Sequence, residues 1–268
     1  MLAYYVHDLN PLIFRLWENV GPRWYGLAYV LAFICSYALF RRLAKCGYAD
    51  LPVAKVGDFV TGAALFGVIV GGRLGYVFFY KPEMLRAPMS ILRVWEGGAN
   101  FINGELYGRA TNVSWAMQFP KELTENVGEA ERAIIACRQI DPTLSSSEAI
   151  VAAVRHEPQV KEVLRGILTP RHPSQLYEAF FEGMVLFGIL LFVRTRTRQP
   201  NGVLTGLFFI CYAIFRIIVE NFREPDASLI AGFTRGQFFS FFLIAIGLAF
   251  VIVAKLRPTF PKKIAARD

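Results

Sequence analysis

Five long apolar segments constrain this chain more than any other feature of its sequence. A helix needs about 20 mostly apolar residues to cross the hydrocarbon core of a bilayer, and each segment reaches about that length. Hydrophobic residues make up 54% of the 268 residues, and the mean hydropathy of +0.39 also favours a membrane protein. We therefore expect an all-α, polytopic membrane bundle, organised as a single membrane domain over residues 1–268. The predicted spans are residues 22–40, 56–80, 174–193, 202–220 and 236–254.

Basic residues form three groups, which follow the first, third and fifth predicted spans. The groups are Arg41, Arg42, Lys45 and Lys55; Arg194, Arg196 and Arg198; and Lys255, Arg257, Lys262 and Lys263. They fall on one side of the membrane if the chain alternates across it, and the positive-inside rule makes that side cytoplasmic. We thus expect the N-terminus outside and the C-terminus in the cytoplasm. This distribution explains the formal net charge of +8, so we expect no nucleic-acid partner.

The longest polar stretch covers residues 110–170, where we expect a small soluble helical insertion on the outer side. Within it, Ser145 and Glu148 have the spacing of a capping box, which predicts the start of a short helix. The four cysteines of the chain are scattered, with neither the spacing of a metal site nor that of a disulfide framework. We expect no bound metal.

Ionisable residues occur inside three of the predicted spans, where each one is costly and calls for an explanation. They are Arg73 in the second span, Glu178 and Glu182 in the third, and Arg216 and Glu220 in the fourth. In the expected topology these five fall in the outer half of the bilayer, and Asp58, near the inner end of the second span, is the exception. A spacing of four residues puts both members of each pair on one helix face. Two interpretations are open: salt bridges that lock the bundle, or an outward-facing polar cavity in which arginine binds an anionic lipid head group.

The segment NFINGELYGR, residues 100–109, resembles the signature of the prolipoprotein diacylglyceryl transferase family. Five further blocks resemble parts of that family and occur in its order. They are WYGLAYV from Trp24, GGRLGYVFFY from Gly71, RVWEGG from Arg93, RHPSQLYE from Arg171 and FRIIVENFREPD from Phe215. Together these blocks cover most of the chain except residues 110–168.

The resemblance implies transfer of a diacylglyceryl group from phosphatidylglycerol to the lipobox cysteine thiol of a prolipoprotein, in the bacterial cytoplasmic (inner) membrane. The implied partners are phosphatidylglycerol, prolipoprotein signal peptides with a lipobox cysteine, and membrane lipid; no cofactor is implied. Matching positions imply catalytic roles for Arg216, Glu220 and Tyr25, and substrate binding by Arg73, Asn100, Glu105, Gly108 and Glu178. In this interpretation Arg216 clamps the phosphate, and Glu105 either holds an arginine or anchors its loop.

One part of the family pattern has no counterpart in this sequence. In the family, a block like RVWEGG precedes a His-Gly-Gly loop and two further spans, the second ending in Gly-Arg before the asparagine signature. Here Ala99 follows Gly98 directly, so roughly 45 residues are missing by the spanning-length arithmetic, including the usual candidate base and a lipid-binding arginine. We expect His7 and His156 on solvated outer segments. His172 lies at the outer mouth of the third span, either as a substitute catalytic base or as a polar cap.

Three functions follow from these observations. The first is an active diacylglyceryl transferase with a reduced bundle, and the second is a non-catalytic lipid-binding relic of the same family. The third is a small membrane transporter or channel. Charges that cluster in the outer half disfavour a transporter, because a path through the bilayer needs polar groups at both depths.

Overall fold

The computed structural model describes residues 4–14, 16, 21–71, 102, 104–225 and 228–260. The chain divides into two compact units, residues 1–13 with 99–259 and residues 14–98 with 260–268. Among the predicted site residues, Arg73 and Asn100 lie outside the described residues. So do residues 72–80 of the second predicted span.

The described residues of the smaller unit form two helices. They are α1 (Trp24–Lys45) and, after a 3-10 turn at Val53–Lys55, α2, which is α-helical over Val56–Gly62 and π-helical over Ala63–Gly71. The rings of Phe40 and Phe59 stack with their centroids 5.1 Å apart, and the fully buried Val56 packs beside Phe40. These contacts fold the two helices against each other within this unit.

The larger unit contains two short strands and six helices among the described residues. In chain order they are β1 (Tyr5–Val6), β2 (Met117–Gln118), α3 (Val127–Cys137), α4 (Ser147–Ala153), α5 (Pro158–Ile167), α6 (Ser174–Arg196), α7 (Val203–Glu220) and α8 (Arg235–Leu256). The middle of α6 is π-helical over Ala179–Val185. β1 and β2 pair in parallel, with Tyr5 opposite Met117.

Four helices in the described part of the chain are long and apolar enough to cross a membrane. They are Gly26–Lys45 within α1, together with α6, α7 and α8. Large apolar side chains cover their outer surfaces; Phe192 of α6 is 62% exposed and Phe242 of α8 is 56% exposed. Surfaces of this kind are stable against lipid rather than water. The chain is a multi-pass helical membrane protein, which confirms the predicted fold class.

Helices α7 and α8 approach each other closely at two glycines. A Cβ atom added to Gly206 would lie 2.5 Å from the carbonyl oxygen of Gly247, and one added to Gly247 would lie 2.7 Å from that of Gly206. Small residues allow such approach between helices that lipid cannot drive together by the hydrophobic effect. The pair forms the framework that carries the ionisable residues of α7.

A helical head, residues 117–168, lies between the signature segment and α6 in the chain. The buried side chains at its centre are Leu123, Ala130, Ala133, Cys137, Leu144, Ile150, Val154, Val160, Leu164 and Leu168. Asn126 caps α3 by accepting a hydrogen bond from the amide of Glu129. The prediction that Ser145 caps the next helix is wrong by one residue. Ser146 accepts the hydrogen bond from the amide of Ala149, because α4 begins one residue later than the capping-box spacing suggests.

The N-terminal strand completes the head. Asp8 accepts hydrogen bonds from Lys161 of α5 and from the hydroxyl of Tyr5, both at 2.5 Å. His7 is only 5% exposed and its ring lies against Phe119, so the prediction of a solvated His7 is wrong. Pairing of β1 with β2 carries His7 into the head. His156 is exposed, as predicted.

Candidate functional site

Arg216 lies at the centre of an ion-pair network between α6 and α7. Its Nη1 is 2.9 Å from Oε1 of Glu178 and 3.6 Å from Oε1 of Glu182, and its Nη2 is 3.1 Å from Oε1 of Glu220. Each helix presents its two charged residues one turn apart on one face, as the spacing predicts. The four side chains are between 6% and 19% exposed. Burial makes the pairing necessary, since unpaired charges in apolar helices are very costly.

Arg223 joins this network from the segment that follows α7. Its Nη1 donates to Oε1 of Glu178 at 2.6 Å, and its side chain is 7% exposed. Arg223 is a site residue that the sequence motifs do not single out. The signal that could have found it is its spacing of three residues from Glu220 and seven from Arg216, since residues at these intervals share one face of a continuous helix.

The first turn of α8 closes against the same network. A Cβ atom on Gly236 would lie 2.4 Å from Oε1 of Glu220 and 3.0 Å from Nε of Arg216. Glycine at this position therefore lets α8 begin next to the guanidinium group. Thr234 and Gln237 hold that turn with a reciprocal capping box.

The charge balance limits what this network can bind. With every group ionised, three carboxylates (Glu178, Glu182 and Glu220) surround two guanidinium groups (Arg216 and Arg223). Both terminal nitrogens of Arg216 already have carboxylate partners. A phosphate would have to compete with these carboxylates for the N–H groups of Arg216. The structure thus shows the ion pairs of the salt-bridge interpretation. Binding of a lipid phosphate by Arg216 stays a prediction.

The signature segment packs against the start of α6. The side-chain amide of Gln175 donates to the carbonyl oxygen of Glu105 at 2.6 Å, and the hydroxyl of Ser174 donates to that of Leu106 at 3.2 Å. The carboxylate of Glu105 forms an ion pair with Lys121 of the head. In the described part of the chain its charged partner is thus a lysine rather than an arginine, and this contact fits the alternative in which Glu105 anchors its loop.

Gly108 joins three segments at one point. Its amide donates to the carbonyl oxygen of His172 at 2.8 Å, and the next amide, of Arg109, donates to that of Phe222 at 2.9 Å. A Cβ atom on Gly108 would lie 2.4 Å from the oxygen of Phe222 and 2.5 Å from that of His172. The glycine thus allows the signature segment, the start of α6 and the end of α7 to meet. Contact of Gly108 with a substrate stays a prediction.

Four aromatic side chains, here called the aromatic group, surround this meeting point: Trp115, His172, Tyr177 and Phe222. Nδ1 of His172 is 3.1 Å from the hydroxyl of Tyr177, which accepts a hydrogen bond from Nε1 of Trp115 at 2.7 Å. The ring of Phe222 packs edge-on against His172 and Tyr177, with centroids 5.2 and 5.6 Å away. Burial lowers the pKa of His172 below its usual value of 6.5.

The aromatic group and the ion-pair network occupy neighbouring positions. Tyr177 directly precedes Glu178 on α6, and Phe222 directly precedes Arg223 after α7. Thus the same two helix ends carry both sets of side chains. His172 is thus linked, through its contacts with Tyr177 and Phe222, to the two helix ends that carry the network.

Arg171 connects the head to this region. Its guanidinium forms an ion pair with Glu122, whose side chain is 1% exposed, and lies over the ring of Tyr107 at 4.8 Å. Burial raises the pKa of Glu122, and the hydrogen bonds from Arg171 oppose that rise. The main chain of Arg171 pairs with Met117 of β2 in both directions. The head is thereby attached to the residue next to His172.

Of the remaining predicted site residues, Tyr25 lies in the first turn of α1, in the smaller unit. Arg73 and Asn100 lie outside the described residues. The structure therefore brings together Arg216, Glu220 and Glu178, with His172 and Gly108 attached through the helix ends.

Comparison with known proteins extends over nearly the whole chain. A bacterial relative from Bdellovibrio bacteriovorus, named phosphatidylglycerol–prolipoprotein diacylglyceryl transferase, is 33% identical over 92% of this chain and 93% of its own length. Relatives with the same name from Geobacter sulfurreducens and Beijerinckia indica are 34% and 40% identical. They match 94% and 95% of this chain and 98% and 96% of their own lengths.

The comparisons also bear on the junction at Gly98–Ala99. The match to the Geobacter relative extends over 302 positions, more than the 268 residues of the chain, so that relative has residues with no counterpart here. The family model described as prolipoprotein diacylglyceryl transferase matches in two pieces, residues 11–99 and 98–253, which meet at this junction. Both pieces and all three relatives lead to one assignment: the chain belongs to the prolipoprotein diacylglyceryl transferase family.

Proposed function

We propose that this chain transfers a diacylglyceryl group from phosphatidylglycerol to the lipobox cysteine thiol of a prolipoprotein. The observation that carries the proposal is the buried network around Arg216, built at the ends of two apolar helices in a member of this family. Ionisable residues within membrane-spanning helices make a functional site the default hypothesis. A guanidinium there suits the phosphate of an anionic lipid that arrives sideways from the membrane.

In the proposed reaction the thiol sulfur attacks the carbon of the diacylated glycerol that is bonded to the phosphate oxygen. The carbon–sulfur bond forms as the carbon–oxygen bond breaks, and the electron pair of that bond stays on the phosphate oxygen. The thiol proton leaves with the released glycerol phosphate. Arg216 and Arg223 stabilise the phosphate charge, and the carboxylates of Glu178 and Glu220 hold both guanidinium groups until the lipid replaces one contact. The resemblance to the family implies roles in the same reaction for Tyr25, Arg73, Asn100 and Glu105 as well.

We further propose that the N-terminus lies outside a bacterial cytoplasmic membrane and the C-terminus inside, with five spans and the head outside. The three basic groups support this orientation. Single cysteines at positions 42 and 146, in a chain without its native cysteines, test it by labelling with an impermeant reagent. We expect labelling of intact cells at 146 and not at 42; labelling at 42 rules out this orientation.

A second candidate, a non-catalytic lipid-binding relative, is favoured by one specific observation. The family match consists of two pieces that meet at Gly98–Ala99, and the resemblance implies that two spans, a histidine and an arginine of the family pattern have no counterpart there. Loss of a general base typically lowers a rate about 10²–10⁴-fold, and loss of a charge-stabilising donor about 10²–10³-fold. We expect turnover to be reduced by at least one of these factors, and the two need not add.

Thioether formation on a lipobox peptide in phosphatidylglycerol vesicles separates the two candidates. The full chain is compared with a version that carries a relative's segment between Gly98 and Ala99, and with Arg216→Ala. Slow turnover that needs Arg216 supports the transferase. Binding of phosphatidylglycerol without any turnover, together with activity in the restored version, supports the non-catalytic candidate. Absence of both turnover and lipid binding excludes both.

A further inference from the structure

The aromatic group contains a series of hydrogen bonds that links two residues of the RHPSQLYE block, His172 and Tyr177, to Trp115, which lies outside the family blocks. Trp115, in the loop that leads into the head, donates from Nε1 to the hydroxyl oxygen of Tyr177 at 2.7 Å. That hydroxyl is in turn 3.1 Å from Nδ1 of His172. These hydrogen bonds thus connect the loop before the head, through Tyr177 in the first turn of α6, to His172 at the proposed site.

The direction of these bonds follows from the donors that each group possesses. An indole N–H can only donate, so the oxygen of Tyr177 must accept from Trp115. The single hydroxyl proton of Tyr177 then remains, and Nδ1 of His172 is the one acceptor that it meets among the described residues. If Nδ1 carried the ring proton instead, the hydroxyl proton would lack a partner there. Among the described protein groups, only the tautomer with the ring proton on Nε2 gives each of these donors an acceptor.

We infer that Trp115 and Tyr177 are positioning residues that fix His172 in the tautomer with its proton on Nε2. His172 therefore offers a hydrogen-bond donor, and not a base, to an oxyanion such as the phosphate of an anionic lipid. This inference rests on the proposed function for the identity of the oxyanion, whereas the tautomer itself does not depend on that function.

The surroundings hold the ring in one orientation. The main chain of His172 is fixed on both sides, because its amide donates to Arg109 at 3.0 Å and its carbonyl accepts from Gly108 at 2.8 Å. Phe222 packs edge-on against the rings of both His172 and Tyr177. A histidine with fixed main chain, fixed ring and fixed Nδ1 partner presents one defined donor at Nε2.

This assignment changes the part that His172 plays in the proposed reaction. The Nε2–H group stabilises the charge on the phosphate oxygen as the carbon–oxygen bond breaks, and His172 neither gains nor loses a proton. The thiol proton leaves with the glycerol phosphate, so the reaction balances without a basic histidine. Of the two roles that the sequence left open for His172, a substitute base and a polar cap, the inference replaces the base with a hydrogen-bond donor.

Nitrogen NMR of the full chain labelled with ¹⁵N-histidine tests the tautomer directly. The chain has three histidines, and His172→Gln identifies the signal that belongs to His172. We expect the neutral ring to be protonated at Nε2. Tyr177→Phe keeps the aromatic ring but removes the donor to the neutral form. The proton affinity of His172 should then rise about fivefold, the worth of one net hydrogen bond.

Trp115→Phe should change the proton affinity in the same direction by a smaller factor, because the indole donor strengthens the hydroxyl donor of Tyr177. Tyr48→Phe in the smaller unit is the matched control, and it should leave the His172 signal unchanged. The signal of the exposed His156 is an internal control, and it should be the same in every variant. All variants retain the charged neighbours Arg109, Arg171, Glu178 and Arg223. A ring protonated at Nδ1, or a proton affinity that falls or stays constant in Tyr177→Phe, overturns the inference.

A kinetic comparison tests the donor role separately. Glutamine places an amide N–H near the position of Nε2 but cannot accept a proton, so His172→Gln should retain more transferase activity than His172→Ala. Equal loss in both variants overturns the donor role. If the unaltered chain has no transferase activity, the proposed function fails, while the NMR result still decides the tautomer.

Discussion

The α-carbon of Gly108 lies so close to the main chain of Phe222 that a Cβ atom there would be 2.4 Å from its carbonyl oxygen. The two residues are far apart in the sequence, and their contact packs the signature segment against the end of α7. The same Cβ atom would also lie 2.5 Å from the carbonyl oxygen of His172. A side chain at position 108 would therefore separate the residues on which both the ion-pair network and the aromatic group depend.

Gly108→Ala should destabilise this region by about 1–3 kcal/mol, the usual range for overpacking a well-packed site. Thermal unfolding in detergent measures the loss, and thioether formation measures its effect on activity. Gly183→Ala is the matched control, since a Cβ atom at Gly183 meets no atom within 4 Å. Equal unfolding temperatures for the two variants would show that the backbone at Gly108 can move away at no cost.

Gly206→Ala should weaken the packing of α7 on α8. Its new Cβ atom would lie 2.5 Å from the carbonyl oxygen of Gly247 and 2.6 Å from a methyl carbon of Val251, so the helices must separate. We expect a loss of about 1–3 kcal/mol. Gly188→Ala on α6, where a Cβ meets no atom within 4 Å, is the control. Steric-trapping or thermal unfolding in detergent checks the result, and a stable Gly206→Ala variant would contradict it.

Arg216→Ala should weaken phosphatidylglycerol binding by more than about 1 kcal/mol, because a charge-assisted hydrogen bond contributes that much. Arg216→Lys should restore only part of the loss, since an ammonium group lacks the planar fork of donors. Lipid affinity is measured by calorimetry on detergent-solubilised protein that unfolds at its normal temperature. A folded Arg216→Ala variant with unchanged affinity would leave Arg216 with the salt-bridge role alone.

Glu122→Ala should detach the head from the start of α6. The variant leaves the guanidinium of Arg171, 14% exposed, without its buried partner, and breaking such a pair typically costs about 3–5 kcal/mol. Glu122→Gln should cost less, because the amide still accepts a hydrogen bond. Hydrogen exchange of α3, α4 and α5 measures the effect, with Glu162→Ala on the exposed ion pair to Arg165 as control. Protection equal to that control would mean that other contacts hold the head.

Attachment of the N-terminal strand should depend on pH through Asp8. Burial alone would raise the pKa of Asp8, but hydrogen bonds from Lys161 and Tyr5 hold it below 3.8. The folded state thus binds fewer protons at this site than the unfolded state. Its contribution is complete above about pH 4 and is lost as the pH falls through the folded pKa. We expect less than about 1 kcal/mol, because both side chains are partly exposed.

Hydrogen exchange of residues 5–8, corrected for the intrinsic rate, follows this contribution between pH 6 and pH 3. Lys161→Gln should remove the pH-dependent part and leave the rest of the head protected. A strand that loses protection identically in both proteins would assign the pH dependence to other carboxylates.

Some features of this protein follow from the sequence alone because they depend on local periodicity and composition. Apolar runs of spanning length predict the membrane helices, since the bilayer requires both that length and internal hydrogen bonding. The four-residue spacings of Glu178 with Glu182 and of Arg216 with Glu220 predict shared helix faces, because the helical repeat fixes which residues are neighbours. The ordered motif blocks predict the family.

Other features depend on contacts between segments that are distant in sequence, so only the tertiary structure decided them. The pairing of Arg223 with Glu178, the burial of His7 and the enclosure of Gly108 all require two or three chain segments to meet. The protonation of His172 is the clearest case. No local pattern places the indole of Trp115, 62 residues away, on the hydroxyl of Tyr177. The sequence determined that a histidine stands at the mouth of α6, and its folded neighbours determined which of its nitrogens is left to act.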